Sequence, residues 1–377
     1  MKVLQYLLYL QRYWRRHRFV FGSYASPRKI FNFLRAEWEA KRRSVLVRTH
    51  PWEIFIDPVN SCPLRCPLCG TGMRLHGRDQ LMLSFDKFRK YLDPLAPWLY
   101  KVKIYNYGEP FLNPDLFRMI TYAHAKKIAV QVNSNCNVWK EDFAEACVSS
   151  GLDLLVVSFD GMSPEAYSSY RRGGDIVKVK HAVESVAEAK KRRSSATPVI
   201  VLQFLMQAHN EHEYDAVAEY AATVGAVFFP QPITFDITDG QQRDQWLPAD
   251  EAKTHYDRVR HIKKKDRPEK GCGFLWNNLV VNVDGGISPC CHVFYKSTDF
   301  GNLEENSFDN IWNNDLFRTA RTMQRNRHST GDPIVCAQCL DERAFFDAHY
   351  DLINEYRTNS IQLDNSTANR HITYRRP

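Results

Sequence analysis

The chain has 377 residues, 44% hydrophobic and 25% charged, with a formal net charge of +8. That composition is of a soluble globular enzyme with room for one large domain and a smaller one, and the length excludes a small disulfide scaffold. The charge is uneven. Residues 1–50 hold twelve Lys/Arg against two Asp/Glu, so the basic character belongs to an appendage and nucleic-acid binding by the whole chain does not follow.

In chain order, residues 1–50 read as a helical arm of two short helices broken near Gly22–Pro27. Val3, Leu4, Leu7, Leu8 and Trp14 recur at helical spacing, as do Ile30, Phe31, Leu34 and Trp38. Arg12, Arg15, Arg16 and Arg18 follow the first stripe, and Lys41, Arg42 and Arg43 the second. An apolar face beside clustered cations fits a helix lying in a membrane interface. Two alternatives stand beside it: the stripes pack on the main domain, closing its open end, or the cations meet phosphate-rich nucleic acid. Val3 to Leu10 is too short to span a bilayer, and no small-residue cleavage site follows it. The expected localisation is cytoplasmic, with peripheral membrane contact through residues 1–50.

Strand-like and helix-like segments then alternate. Strands are expected at Glu53–Asp57, Val102–Tyr107, Ala129–Asn133, Leu154–Phe159, Val199–Met206 and Val227–Phe229. Helices are expected at Ser84–Leu92, Pro114–Lys126, Glu141–Ser149, Ile176–Arg192 and Glu211–Thr223. Six strands interleaved with helices give an α/β fold, a partial (β/α)6 TIM-like barrel over residues 51–235, with its chemistry at the C-terminal ends of the strands. Residues 236–265 read as a linker and helix. A small unit over residues 266–345 contains a strand at Leu279–Val283, a turn at Asp284-Gly285-Gly286 and a helix near Phe308–Gln324, and 346–377 is a tail.

Ten cysteines in a chain of this length point to thiolate ligands in a reducing compartment. Three stand just after the first strand, Cys62, Cys66 and Cys69, separated by three and two residues. Such a trio can hold zinc or three irons of a [4Fe-4S] cube. Structural zinc takes four ligands, and His76 is the nearest candidate for a fourth. A cube on three cysteines leaves one iron open to a chelating molecule.

Cys-x3-Cys-x2-Cys after a first strand resembles the radical S-adenosylmethionine superfamily. The resemblance implies that these cysteines bind a [4Fe-4S] cluster whose open iron chelates S-adenosylmethionine. An aromatic usually precedes the third cysteine; here it is Leu68, which can still pack over adenine. Tyr107-Gly108-Glu109-Pro110 resembles the Gly-Gly-Glu motif, with Tyr107 in place of the first glycine, and Glu109 would accept hydrogen bonds from the methionine ammonium. Asn133, Ser158 and Asp160, at the ends of strands three and four, could hold the ribose and the carboxylate. Tyr170 to Gly174 resembles a Tyr-Arg-x-Gly-Gly stretch whose arginine, here Arg171, pairs with the methionine carboxylate. For each, the alternative is a strand-end turn or a solvated arginine.

Cys272, Gly285, Cys290, Cys336 and Cys339 resemble the auxiliary-cluster domain of the SPASM and twitch branches. A full SPASM domain has seven cysteines for two auxiliary clusters. Only five follow residue 270, one of them Cys291 beside Cys290. One auxiliary [4Fe-4S] cluster on Cys272, Cys290, Cys336 and Cys339 is therefore expected; four-thiolate zinc is the alternative.

The resemblance implies reductive cleavage of S-adenosylmethionine, with electrons from a flavodoxin- or ferredoxin-type donor, and hydrogen-atom abstraction from a substrate. An oxidation or other C–H transformation of a small-molecule or lipid-linked substrate is the expected outcome. Peptide-modifying relatives usually carry two auxiliary clusters and often an N-terminal winged helix; peptide modification is the second reading, and a zinc-bearing nucleic-acid binder the alternative of another class. Cys136, just beyond strand three, is a candidate hydrogen-atom donor, with burial as a small hydrophobe the alternative. Cys147 reads as core.

Overall fold

The computed structural model describes residues 22, 24–75, 77–233, 244–250, 253–254, 256–257, 262–263, 272–293, 295–327 and 334–340. The expected first arm helix, His76, most of the linker and the tail lie outside them, as does the side chain of Cys339.

Helix α1 (Pro27–Arg42) starts where the Ser26 hydroxyl accepts from Lys29 N and Pro27 occupies the first turn, and it stops at Arg43 in a left-handed conformation. Six β/α units follow: β1 (Glu53–Ile56), α2 (Phe85–Leu92), β2 (Lys101–Lys103), α3 (Leu116–Ala125), β3 (Ala129–Ser134), α4 (Phe143–Ser149), β4 (Leu154–Ser158), α5 (Pro164–Tyr170), α6 (Ile176–Arg192), β5 (Val199–Met206), α7 (Tyr214–Thr223) and β6 (Val227–Pro232). Helix α5 was not among the expected helices; seven residues capped by Ser163 leave too little periodicity to read. A two-stranded ribbon, β7 (Tyr256–Asp257) and β8 (Ile262–Lys263), leads to α8 (Phe274–Asn277), β9 (Val280–Val281), β10 (Ile287–Ser288), α9 (Phe308–Trp312), α10 (Asp315–Asn326) and α11 (Val335–Leu340). The helix expected over Phe308–Gln324 is thus two, because the Asn314 side chain caps α10 at Phe317 N and restarts the chain direction.

The six barrel strands pair in parallel and in order, and the sheet does not close. Strand β9 adds parallel to β1, with Phe55 opposite Val280, and β10 folds back antiparallel on β9. The C-terminal hairpin is therefore the edge of the barrel sheet, extending it to eight strands.

Side chains alternate along the strands as the pleat requires. Ile200, Leu202 and Phe204 of β5 are buried in one large cluster with Val179, Val183 and Val186 of α6. The intervening Val201, Gln203 and Leu205 are half-buried on the concave side.

Helix α1 lies across the N-terminal ends of the strands. Lys29 Nζ donates to Lys127 O at 2.5 Å, just before β3, and the Tyr24 hydroxyl donates to Asp153, just before β4. Phe33 packs on Trp52 and Tyr100, which precede β1 and β2. The inward face is Lys29, Asn32, Phe33, Ala36 and Glu39, while Phe31, Leu34 and Trp38 are 65%, 58% and 50% exposed. Of the expected stripe, Phe31, Leu34 and Trp38 thus face outward while Ile30 packs beside Phe33 and Tyr100, and the end of the barrel is covered by the other face of the helix. No described helix is long and apolar enough to cross a membrane.

Candidate functional site

The loop after β1 wraps its cysteines tightly. Cys69 N donates to Cys66 O and Met73 N to Cys69 O, and Arg65 N is held by Arg172 O at 2.8 Å. Gly72 closes the loop: a β-carbon there would stand 2.5 Å from Cys66 O and 2.6 Å from Cys66 N. The sequence reading passed over this glycine, although it lies three residues after the last cysteine. Around the thiols packs a separate apolar cluster of Leu64, Tyr170, Ile233, Trp246 and Leu247, with Leu68 and Leu205 at its margin.

Burial pushes the Cys62 thiol up to about 12 and raises Cys66 as well. Arg171 opposes this at Cys66, its Nη1 3.8 Å from the sulfur, and Asn135 Nδ2 stands 3.5 Å from Cys62 Sγ. Three thiols, one buried and two half-buried, with donors aimed at two sulfurs and a loop too close for a β-carbon, suit a cationic cluster that replaces their protons. The residues fit the group. Among the described residues, no three His, Cys, Asp or Glu side chains are grouped as one metal ion requires; a cube binds its thiolates through separate irons.

Glu109 is fully buried. Its Oε1 accepts from the Ser134 hydroxyl at 2.7 Å and from Phe111 N at 3.2 Å, and its Oε2 from Asn135 N at 2.8 Å. It therefore locks the end of β3 to the end of the β2 segment, and only lone pairs beyond these bonds remain for an ammonium group. Glu109 N donates to Ser61 O at 2.8 Å, and a β-carbon on Gly108 would lie 1.6 Å from Val59 O. Only glycine allows the two backbones to meet. Pro110 starts a short 3-10 turn.

Arg171 Nε donates to Asp160 Oδ2 at 2.5 Å, and Asp160 Oδ1 accepts from Leu205 N at 2.7 Å. Asp160 is thus a buried anchor that orients Arg171 beside Cys66. Ser158 ends β4 half-buried. Asn133 Oδ1 takes Gln131 Nε2 at 2.7 Å. Cys136 has a left-handed backbone and is fully buried in the large apolar core; burial raises its thiol. Cys147 is buried in the same core.

In the C-terminal unit, Cys272, Cys290 and Cys336 pack against one apolar cluster. Helix α10 supports the segments of Cys272 and Cys336: it contacts α8 and α11, and its Gln324 Oε1 accepts from Cys272 N at 3.2 Å. Cys291 points its backbone elsewhere, accepting at O from the Tyr107 hydroxyl at 2.9 Å. A second tie is Arg78, whose Nη1 donates to Asp284 at 3.0 Å and to Asp299 at 2.7 Å. Between these ties lies a cavity of about 30 Å³ lined by Asp57, Asn60, Thr71, Arg78, Tyr107 and Asn282. One Asp57 oxygen there has no hydrogen-bond partner, and burial pushes its carboxyl up to about 7, against the pull of Arg78 and of three backbone N–H groups.

The concave face of the sheet carries a row of polar groups that the sequence reading missed. Glu53 takes Lys103 at 2.6 Å and Asn278 at 2.8 Å. Gln131 reaches Tyr105 at 3.2 Å, and Gln203 bonds Gln231 at 2.6 Å. The signal was there: polar residues at alternate positions of Lys101–Tyr105 and Gln131–Asn133, where a core-filling strand would carry Val or Ile.

Residues 56–221 match the family model of the radical SAM superfamily, and residues 272–340 that of the SPASM iron–sulfur cluster-binding domain. An AdoMet-dependent heme synthase of Methanosarcina barkeri is 24% identical over 327 residues, 76% of this chain and 89% of that protein. A probable GTP 3′,8-cyclase of Methanococcus maripaludis is 29% identical over 168 residues, 44% of this chain and 54% of the cyclase, about half its length. The PqqA peptide cyclase of Gluconobacter oxydans is 25% identical over 283 residues, 70% of this chain and 76% of that one. Among solved structures, Streptococcus suis SuiB bound to S-adenosylmethionine shares the fold at a TM-score of 0.56 and 14% identity, over 82% of this chain and 76% of SuiB. The chain is a radical S-adenosylmethionine superfamily enzyme with a C-terminal SPASM domain. Its cofactors are S-adenosylmethionine and iron–sulfur clusters of both domains.

Proposed function

We propose that the enzyme oxidises, or otherwise transforms at a C–H bond, a polar small molecule or the polar part of a lipid-linked one. The observation that carries this is the concave row Glu53, Lys103, Tyr105, Gln131, Gln203 and Gln231. These groups are already bonded to one another, and such a polar wall suits a hydroxyl- or amide-rich substrate, which can share its donors and acceptors, over an apolar guest.

In this reading Cys62, Cys66 and Cys69 hold the first cluster, and S-adenosylmethionine bound there supplies a 5′-deoxyadenosyl radical. Asp160 orients Arg171 toward the methionine carboxylate. The Gly108 backbone and the remaining lone pairs of Glu109 meet the ammonium, Asn133 and Ser158 the ribose, and Leu68 the adenine. Cys272, Cys290, Cys336 and Cys339 hold one auxiliary cluster; with four cysteines no iron is left for substrate, which leaves electron transfer as its use. The barrel spans residues 51–235 and the auxiliary unit 266–345. Electrons come from a flavodoxin- or ferredoxin-type protein, and residues 1–50 hold the enzyme at the membrane periphery.

A peptide substrate is the second reading, favoured by the likeness to the PqqA peptide cyclase. One experiment separates the two. Reconstituted enzyme, S-adenosylmethionine and a one-electron reductant are mixed with fractions of a uniformly deuterated cell extract. The 5′-deoxyadenosine formed gains deuterium with the polar small-molecule or lipid-linked fraction. Deuterium arriving only from the peptide fraction overturns the first reading.

A further inference from the structure

Helix α1 buries three polar side chains beside Phe33 and Ala36 and exposes three large apolar ones. Lys29, Asn32 and Glu39 face the barrel, each satisfied there: Lys29 by Lys127 O, Asn32 by the backbone of His50, and Glu39 by Arg48 N and the Thr49 hydroxyl. Phe31, Leu34 and Trp38 stand outward one turn apart, and Leu46 beyond the helix is 63% exposed. Arg28, Lys41, Arg42 and Arg48 are exposed around them, and Arg42 lies 4.4 Å over the Trp38 ring. Exposing such a stripe to water is costly unless something covers it. Its covering must be apolar in the middle and anionic at the rim, as the surrounding cations and the excess of Lys/Arg over residues 1–50 require.

The helix also has a defined place. It spans the ends where β1 to β3 begin, against Trp52, Tyr100 and Lys127, and Tyr24 just before it reaches Asp153 at the start of β4. The cysteine loop and Gly108 lie where β1 and β2 end. We infer that the Phe31–Leu34–Trp38 face docks on an anionic bilayer and holds the reaction face on the opposite side, turned away from the lipid. This rests on the membrane reading above and adds its orientation. A lipid-linked substrate must then present its reacting group well beyond the headgroups, a barrel length away, whereas a carbon within the acyl region is out of reach.

Hydroxyl-radical footprinting of the full chain on vesicles of phosphatidylglycerol and phosphatidylcholine tests it, with phosphatidylcholine vesicles as the control. Phe31, Leu34 and Trp38 should lose labelling by about tenfold on anionic vesicles at low salt, while Leu81 and Met82, exposed beyond the cysteine loop, keep theirs. The variant with Phe31→Ser, Leu34→Ser and Trp38→Ser should bind these vesicles about tenfold more weakly and keep its iron. No vesicle binding by the wild type sinks the membrane reading itself. Binding with Leu81 and Met82 protected instead sinks only the orientation. Protection of the stripe without vesicles means that a second copy or another part of this chain covers it, and the proposal falls.

Discussion

The hydroxyl of Tyr107 donates to the backbone carbonyl of Cys291 at 2.9 Å, so the residue in place of the first glycine of the resembled Gly-Gly-Glu motif ties the β2 segment to the loop after β10. Tyr107→Phe removes that bond. It should lower unfolding stability by about 1 kcal/mol and leave the iron content unchanged. A calorimetric scan with an unaltered transition would show the bond to be without consequence.

The cysteine sets predict iron. Reconstituted protein should carry about eight irons, four per cube. Changing Cys62, Cys66 and Cys69 to Ala should halve that content and abolish formation of 5′-deoxyadenosine. Stoichiometric zinc in place of iron refutes the assignment.

Gly72 and Gly108 leave no room for a β-carbon. Gly108→Ala must push the Val59–Ser61 backbone away, costing about 1–3 kcal/mol or more, and should weaken S-adenosylmethionine binding in equilibrium dialysis. Gly72→Ala should instead lower iron retention. Wild-type behaviour of both variants would contradict the close approach.

Arg171→Gln leaves Asp160 buried without its cation, a change that costs about 3–5 kcal/mol. The double change Arg171→Gln with Asp160→Asn should recover much of the stability but not the affinity for S-adenosylmethionine. Recovery of both would reduce the pair to a structural role.

Asp57 titrates against the fold. Its folded value of about 7 lies above the unfolded 3.8, so the folded state holds the proton more firmly. The stability this contributes is complete below about pH 4 and is lost as pH rises through 7. Wild type should therefore lose a few kcal/mol relative to Asp57→Asn between pH 4 and 8. Parallel denaturation curves for the two proteins across that range would disprove the assignment.

Much of this was legible beforehand. Val199–Met206 and Ile176–Arg192 were placed to the residue, because long runs of period two and period 3.6 leave little choice. The short pieces were not: Ile287–Ser288 is two residues long, and its strand character comes from β9 on one side and from bonds to Phe300 and Gly301 on the other. The arm was half legible. Its apolar spacing was plain, but which face turns inward depended on Lys29, Asn32 and Glu39 finding backbone partners across the barrel end, which no local pattern records. At the site, the motif residues were visible while their mutual bonds were not. Glu109 and Asp160 were expected to face a ligand, and each spends its oxygens first on the protein. Tyr107, expected with Gly108, Glu109 and Pro110 to line the cofactor, sends its hydroxyl to Cys291 O.

The pairing of Phe55 with Val280 has a consequence for how the protein is made. The first strand leaves the ribosome long before its outer neighbour exists; at ordinary rates of synthesis the interval is on the order of tens of seconds. During it β1 is an open edge, with the thiols of the adjoining loop bare. Pairing so remote in sequence is slow to form. The nascent chain thus has a window in which a chaperone or an iron–sulfur carrier can reach Cys62, Cys66 and Cys69 before the hairpin arrives, and loading of the first cluster can precede completion of the sheet.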